Sequence, residues 1–139
     1  MIHVERILYP TDFSSYANQA YFHAVGLAQK HGAGLTIAFV YDEAKADTPA
    51  GQSNPRAYWL AQLEQIRPLD DAIPVKHVFL EGEASEQIVR YAREARMSLV
   101  VMGTHGRSLV ERGVLGSVAE RVLRDAPCSV MVVKIPKAG

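Results

Sequence analysis

The stretch Leu99-Val100-Val101-Met102-Gly103-Thr104-His105-Gly106-Arg107-Ser108-Leu109-Val110-Glu111-Arg112-Gly113-Val114-Leu115-Gly116-Ser117-Val118 decides the fold. It begins as an apolar run, passes into a segment holding four of the ten glycines, and ends in Ser117-Val118-Ala119-Glu120. That last tetrad reads as a capping box, which places Ser117 at the start of a helix over about Val118–Arg124, with Val122 and Leu123 on its apolar side. The connection from Gly103 to Ser117 is longer than the about two to six residues usual between a strand and a helix. Glycine lets backbone amides approach an anion with no side chain in the way, and a helix N-terminus presents free N–H groups backed by the helix dipole. Gly116, Ser117 and Val118 are therefore the candidate phosphate-binding residues. Gly103 and Gly106 would wrap the first part of the loop around a sugar or further phosphates, and Arg107 is the nearest charge partner.

Working outward, four more runs rich in Val, Ile and Leu resemble Leu99–Met102: Arg6–Tyr9, Leu35–Tyr41, Val75–Leu80 and Ser129–Ile135. Nearly continuous apolarity is the mark of strands covered on both faces, as in a parallel sheet under helices. The intervals supply those helices. Ala17, Ala20, Tyr21, Ala24, Leu27 and Ala28 form one stripe from about Ser14 to Lys30, stopped by Gly32 and Gly34. A breaker-rich loop, Thr48–Pro55, precedes a helical run over about Arg56–Leu69 bearing Trp59, Leu60, Leu63 and Ile66. A third helix fits Ala84–Arg96 through Ile88, Val89, Ala92 and Ala95. Strict alternation of strand and helix calls for an open α/β sheet with right-handed crossovers.

Composition agrees with one compact domain spanning residues 1–139. The chain has 15 basic and 15 acidic residues, is 48% hydrophobic, and holds one cysteine. A balanced charge gives no global attraction to nucleic acid or anionic lipid, and no run approaches the about 18 apolar residues of a membrane-spanning helix. Cys128 has no internal partner for a disulfide, and Met1–Arg6 lacks a basic segment followed by an apolar run, so the expected location is cytoplasmic.

The sequence resembles the universal stress protein family. Gly103, Gly106, Gly116 and Ser117 match its signature of Gly, two residues, Gly, nine residues, Gly, then Ser or Thr. Ile7–Ser14, Val100–Arg107 and Cys128–Val133 are also similar to that family. The resemblance implies a Rossmann-like five-stranded parallel sheet in the order 3-2-1-4-5 with helices on both faces, and ATP binding. In that order the first and fourth strands are neighbours where strand order reverses, the place where such sheets bind ligands. Their carboxyl ends are Pro10-Thr11-Asp12 and Met102-Gly103, continuing into Thr104 and His105. By similarity Pro10, Val40 and Met102 would line the adenine pocket, and Asp12 would face the nucleotide directly or through a Mg²⁺, which commonly takes only one or two protein carboxylates. The implied role is a nucleotide-dependent stress-response or signalling module. Slow ATP hydrolysis or phosphotransfer, and a nucleotide-free interaction protein of the same fold, are the rival readings.

Other signals fall away. No P-loop lysine motif occurs, and Gly32-Ala33-Gly34 precedes a strand and lacks a third glycine at Ile37. The histidines at 3, 23, 31, 77 and 105 share no metal-ligand spacing. His105 alone lies in the glycine loop, within reach of a phosphate or ribose. Cys128, between Pro127 and an apolar strand, reads as a buried thiol, and no GxSxG is present. Arg90, Arg93 and Arg96 beside Glu86 and Glu94 read as a solvated helix face. In the implied strand order Ser129–Lys134 is a sheet edge with no charge before Lys134, and such edges pair with something. Two copies joined antiparallel across a two-fold axis would make a homodimer.

Overall fold

The computed structural model describes residues 3–45, 50–105 and 115–135. Five strands, β1 (Arg6–Pro10), β2 (Gly34–Tyr41), β3 (Val75–Glu81), β4 (Leu99–Gly103) and β5 (Ser129–Val133), alternate with four helices. These are α1 (Ser15–His31), α2 (Pro55–Glu64), α3 (Ala84–Glu94) and α4 (Ser117–Asp125). All pairings are parallel and the sheet order is β3-β2-β1-β4-β5. Ile7 of β1 lies opposite Leu35 on one side and Leu99 on the other.

Because side chains alternate along a strand, neighbouring residues feed two separate cores. Ile7, Tyr9, Ile37, Phe39 and Val101 pack with Ala20, Ala24 and Ala28 of α1 and with Trp59 and Leu63 of α2. Leu8, Ala38, Val100 and Met102 pack with Ile88, Val89 and Ala92 of α3 and with Ala119 and Val122 of α4. The α1 stripe is built from alanines, which bring its backbone close to the sheet. The Tyr9 hydroxyl donates to the Ala17 carbonyl at 2.7 Å and fixes the approach. Gly32, at φ 62°, closes α1 in the left-handed conformation that a side chain disfavours.

Element boundaries depart from the sequence expectation at three places. The second helix ends at Glu64 and not near Leu69: its last turn tightens, the Ile66 carbonyl meets the His77 ring at 2.7 Å, and Pro68 disfavours helical backbone at Arg67. Leu69 is fully exposed. The third helix stops at Glu94, short of Arg96, and the last strand stops at Val133, short of Ile135. Of the breaker-rich loop, residues 48 and 49 lie outside the described residues, and Pro55 is already the first residue of α2.

Candidate functional site

The order β2-β1-β4 sends the chain leaving β1 and the chain leaving β4 to opposite faces of the sheet, and a cleft opens between their carboxyl ends. Its volume is about 400 Å³, within the range of small-molecule sites.

One wall is the turn from β1 to α1. Thr11 donates its N–H to the Ala38 carbonyl at 2.8 Å, and its hydroxyl accepts from the Phe13 N–H at 3.0 Å. Asp12 accepts from the Ser14 N–H at 3.0 Å, and Ser14, the N-cap of α1, accepts from Ala17 N–H at 3.2 Å. Asp12 is thus held by the turn that leads into the helix. Just beneath, the Tyr9 hydroxyl is pushed up to about 12 by burial, against a hydrogen bond from Thr11 and with smaller contributions from Asp12 and Tyr21.

The opposite wall is the junction of β4 with α4. Met102 and Gly103 of β4 and His105 just after it line the cleft, as do Gly116, the N-cap of α4, and Ser117 and Val118 of its first turn. The Gly116 N–H donates to the Thr104 carbonyl at 2.8 Å, so the two ends of the glycine segment are tied together. Thr104 itself is buried and does not line the cleft; its hydroxyl lies 3.1 Å from His105 Nδ1. Gly106 and Arg107 lie outside the described residues.

The capping box does not form. Gly116, in extended conformation, is the N-cap of α4, no side chain among the described residues caps the helix, and Ser117 is its first residue. The cause is the Thr104 bond, which holds Gly116 at the point where helical backbone begins. The first-turn N–H groups of α4 consequently meet no side-chain cap among the described residues.

Two glycines of the signature are also packing positions. A Cβ at Gly116 would stand 3.1 Å from the Thr104 carbonyl oxygen and 3.2 Å from His105 Cα. At Gly103 it would collide with the backbone of Tyr16.

Pro10 and Val40 line the cleft from β1 and β2. Sequence reasoning missed the aromatic wall beyond them, in which Phe13 stacks on Trp59 (5.3 Å, 18°) and Phe39 stacks on Trp59 (5.3 Å, 24°). Trp59 and Phe39 line the cleft, as do Asp42 and Lys45 of the segment after β2. No motif marks these residues; α2 brings Trp59 over the sheet, and only the spacing of its apolar stripe announces it.

The fold and cleft define a doubly wound α/β protein whose open strand ends converge on the N-terminus of α4. Residues 3–134 match the sequence model of the universal stress protein family, and the chain belongs to that family. A universal stress protein of Methanocaldococcus jannaschii is 35% identical over 142 residues, covering 96% of this chain and 84% of that protein. Among solved structures, a universal stress protein from Lactobacillus plantarum is similar with a TM-score of 0.76 and 29% identity, covering 93% of this chain and 97% of the other. A universal stress protein in complex with cAMP is similar in fold with a TM-score of 0.71 and 23% identity, covering 94% and 97%. Among the described residues no helix is long and apolar enough to cross a membrane.

Proposed function

We propose that this chain binds an adenine nucleotide, ATP with Mg²⁺, in the cleft between β1 and β4 and acts as a nucleotide-dependent stress-response module. The observation that carries the reading is the N-terminus of α4, uncapped by any described side chain and lining the same cleft as Asp12. Polyphosphate is held on the amides of Ser117 and Val118, and the base lies toward Pro10, Val40 and Met102, with the Trp59 wall beyond. One solved structure of related fold, a universal stress protein in complex with cAMP, supports an adenine ligand in this architecture.

The metal part of the reading passes a chemical test. Among the described residues no three His, Cys, Asp or Glu side chains gather into a metal cage. Asp12 and Asp42 are carboxylates lining the cleft, and Mg²⁺ is typically bound by one or two carboxylates with phosphate oxygens and water completing its shell. Phosphate binding on backbone amides needs no catalytic base, so the reading is of a binding module. The protein is a homodimer joined along β5, and it works in the cytoplasm.

Isothermal titration with MgATP tests this directly. Micromolar or tighter binding that is abolished by Gly116→Val supports it; no binding by the unmodified protein refutes it. Single-turnover assays with MgATP address the hydrolase alternative: turnover faster than minutes, lost in Asp12→Ala, would replace the binding module with an enzyme.

A further inference from the structure

We infer that Arg56 is a positioning residue for the part of the cleft wall that carries Asp42 and Lys45, latching it to the sheet through charge. The inference deepens the nucleotide reading: its ligand half rests on that reading, while its structural half is tested without a ligand.

The observation is a convergence of three segments on one guanidinium. Arg56, in the first turn of α2, donates its Nε–H to Glu81 Oε1 at 2.6 Å, and its Nη2 lies 3.7 Å from Glu43 Oε2. Its Cζ stands 4.9 Å from the centre of the Tyr41 ring. Tyr41 and Glu81 are register partners at the carboxyl ends of β2 and β3, and Tyr41 is buried and stacks on Phe79 at 6.1 Å and 22°. A short charge-assisted bond and a ring face therefore fix the guanidinium against the sheet. Glu43 is the movable partner. Its side chain is 80% exposed and belongs to a single 3₁₀ turn, Glu43–Lys45, so the restraint runs from the sheet through Arg56 to the turn.

The turn converts that restraint into the shape of the cleft. Asp42 holds it as one unit: its side chain accepts from the Ala44 N–H and its carbonyl from the Lys45 N–H, both at 3.0 Å. With about three residues per turn in such a helix, residues 43 and 45 point to different sides. Glu43 faces Arg56, and Lys45 lines the cleft together with Asp42. An exposed ion pair is weak by itself. The guanidinium is effective here because it is anchored at two points before it reaches the third. Trp59, three residues on from Arg56 and therefore its neighbour on the surface of α2, lines the cleft as well, so one helix face serves both contacts.

The consequence is a cleft wall whose order depends on ionic strength. Amide exchange measured by nuclear magnetic resonance on the ligand-free protein tests it. In Arg56→Gln the Ala44 and Lys45 amides should exchange about fivefold faster, the worth of an exposed charge contact at the upper end of its range, while the Leu63 amide inside α2 exchanges as before. Arg56→Lys keeps the charge without the planar fork and should fall between the two. Raising salt from about 0.1 M to about 1 M should speed exchange at Ala44 and Lys45 in the unmodified protein and leave Arg56→Gln nearly unchanged. Unaltered exchange at Ala44 and Lys45 in Arg56→Gln overturns the inference. Equal acceleration at Leu63 overturns it too, because Arg56 would then support the helix and not the turn. The ligand half is read by stopped-flow displacement of a fluorescent ATP analogue: release from Arg56→Gln should be about fivefold faster, with association little altered. Equal release from the two proteins overturns that half. An unmodified protein that binds no ATP refutes the nucleotide reading, and the latch is then decided by amide exchange.

Discussion

Gly103 packs directly on the backbone of Tyr16, so closely that a Cβ at Gly103 would lie 2.7 Å from both the carbonyl carbon and the carbonyl oxygen of Tyr16. The contact joins the end of β4 to the first turn of α1, the two elements that bound the cleft. Backbone atoms cannot swing aside as a long side chain can. Gly103→Ala should therefore destabilise the protein by about 1–3 kcal/mol, the usual cost of overpacking, and urea denaturation should show a lower midpoint with an unchanged slope. A glycine expected from sequence to serve a ligand is, in the fold, first a spacer between strand and helix.

Phe13 is held at φ 65°, a left-handed conformation that costs a residue with a Cβ about 1–2 kcal/mol. Its ring repays that strain by packing on Phe39 at 5.2 Å and on Trp59 at 5.3 Å. Removing the ring should destabilise the protein, by about 2–3 kcal/mol for Phe13→Ala at this half-buried site. Phe13→Gly loses the same ring but also relieves the backbone, so it should be the more stable of the two variants by about 1 kcal/mol. Trp59 is the only tryptophan of the chain, and its fluorescence reports the disruption in both variants. If Phe13→Ala proves the more stable, the strain argument fails.

Glu83 caps α3 with its side chain. Burial acts to raise its carboxyl. Hydrogen bonds from the Ser85 hydroxyl (2.7 and 2.8 Å) and the N–H groups of Glu86 (2.9 Å) and Ser85 (3.1 Å), with Arg121 of α4 at 3.3 Å, outweigh burial and hold the carboxyl below the ordinary 4.5. A carboxylate lowered on folding contributes stability that is present above its unfolded value and lost as pH falls through its folded value. Glu83→Gln should therefore lower the melting temperature at pH 7. The gap between variant and unmodified protein should narrow as the solution is acidified below the ordinary glutamate range. A gap that stays constant with pH would show that Glu83 acts through shape and not through charge.

The chain makes its sheet legible and hides part of its site, for physical reasons that can be named. The three central strands β1, β2 and β4 are legible because each is covered on two faces, and two-sided burial leaves an unbroken apolar run such as Leu99–Met102. Strand order is not written in periodicity; the resemblance that the glycine loop carries implies it, and the observed order agrees. Helix ends are less legible, because an apolar residue such as Leu69 resembles core in the sequence, whereas Pro68 and the His77 contact end the helix before it. The capping box failed because a tertiary bond, Gly116 to Thr104, overrode a local preference. The wall formed by Phe13, Phe39 and Trp59 joins three elements far apart in sequence, so only folding reveals it.

Among the described residues, strand β5 is the last strand on its side of the sheet and pairs with β4 alone. Val133 is buried under the α1 face, but Met131 on the same side of the strand is exposed, and Val130 and Val132 are half-buried. An apolar edge that no described strand pairs with invites a second strand. In an antiparallel two-fold pairing of Ser129–Val133, the central residue, Met131, comes closest to its own copy. A charge placed there would face an identical charge across the axis, and like charges directly opposite are destabilising in a sheet. Met131→Lys should therefore shift the protein from dimer to monomer in light scattering at micromolar concentration, with little change in the circular dichroism of the fold because the side chain lies outside the core. A monomeric unmodified protein, or a variant that remains fully dimeric, would place the contact between copies elsewhere or remove it.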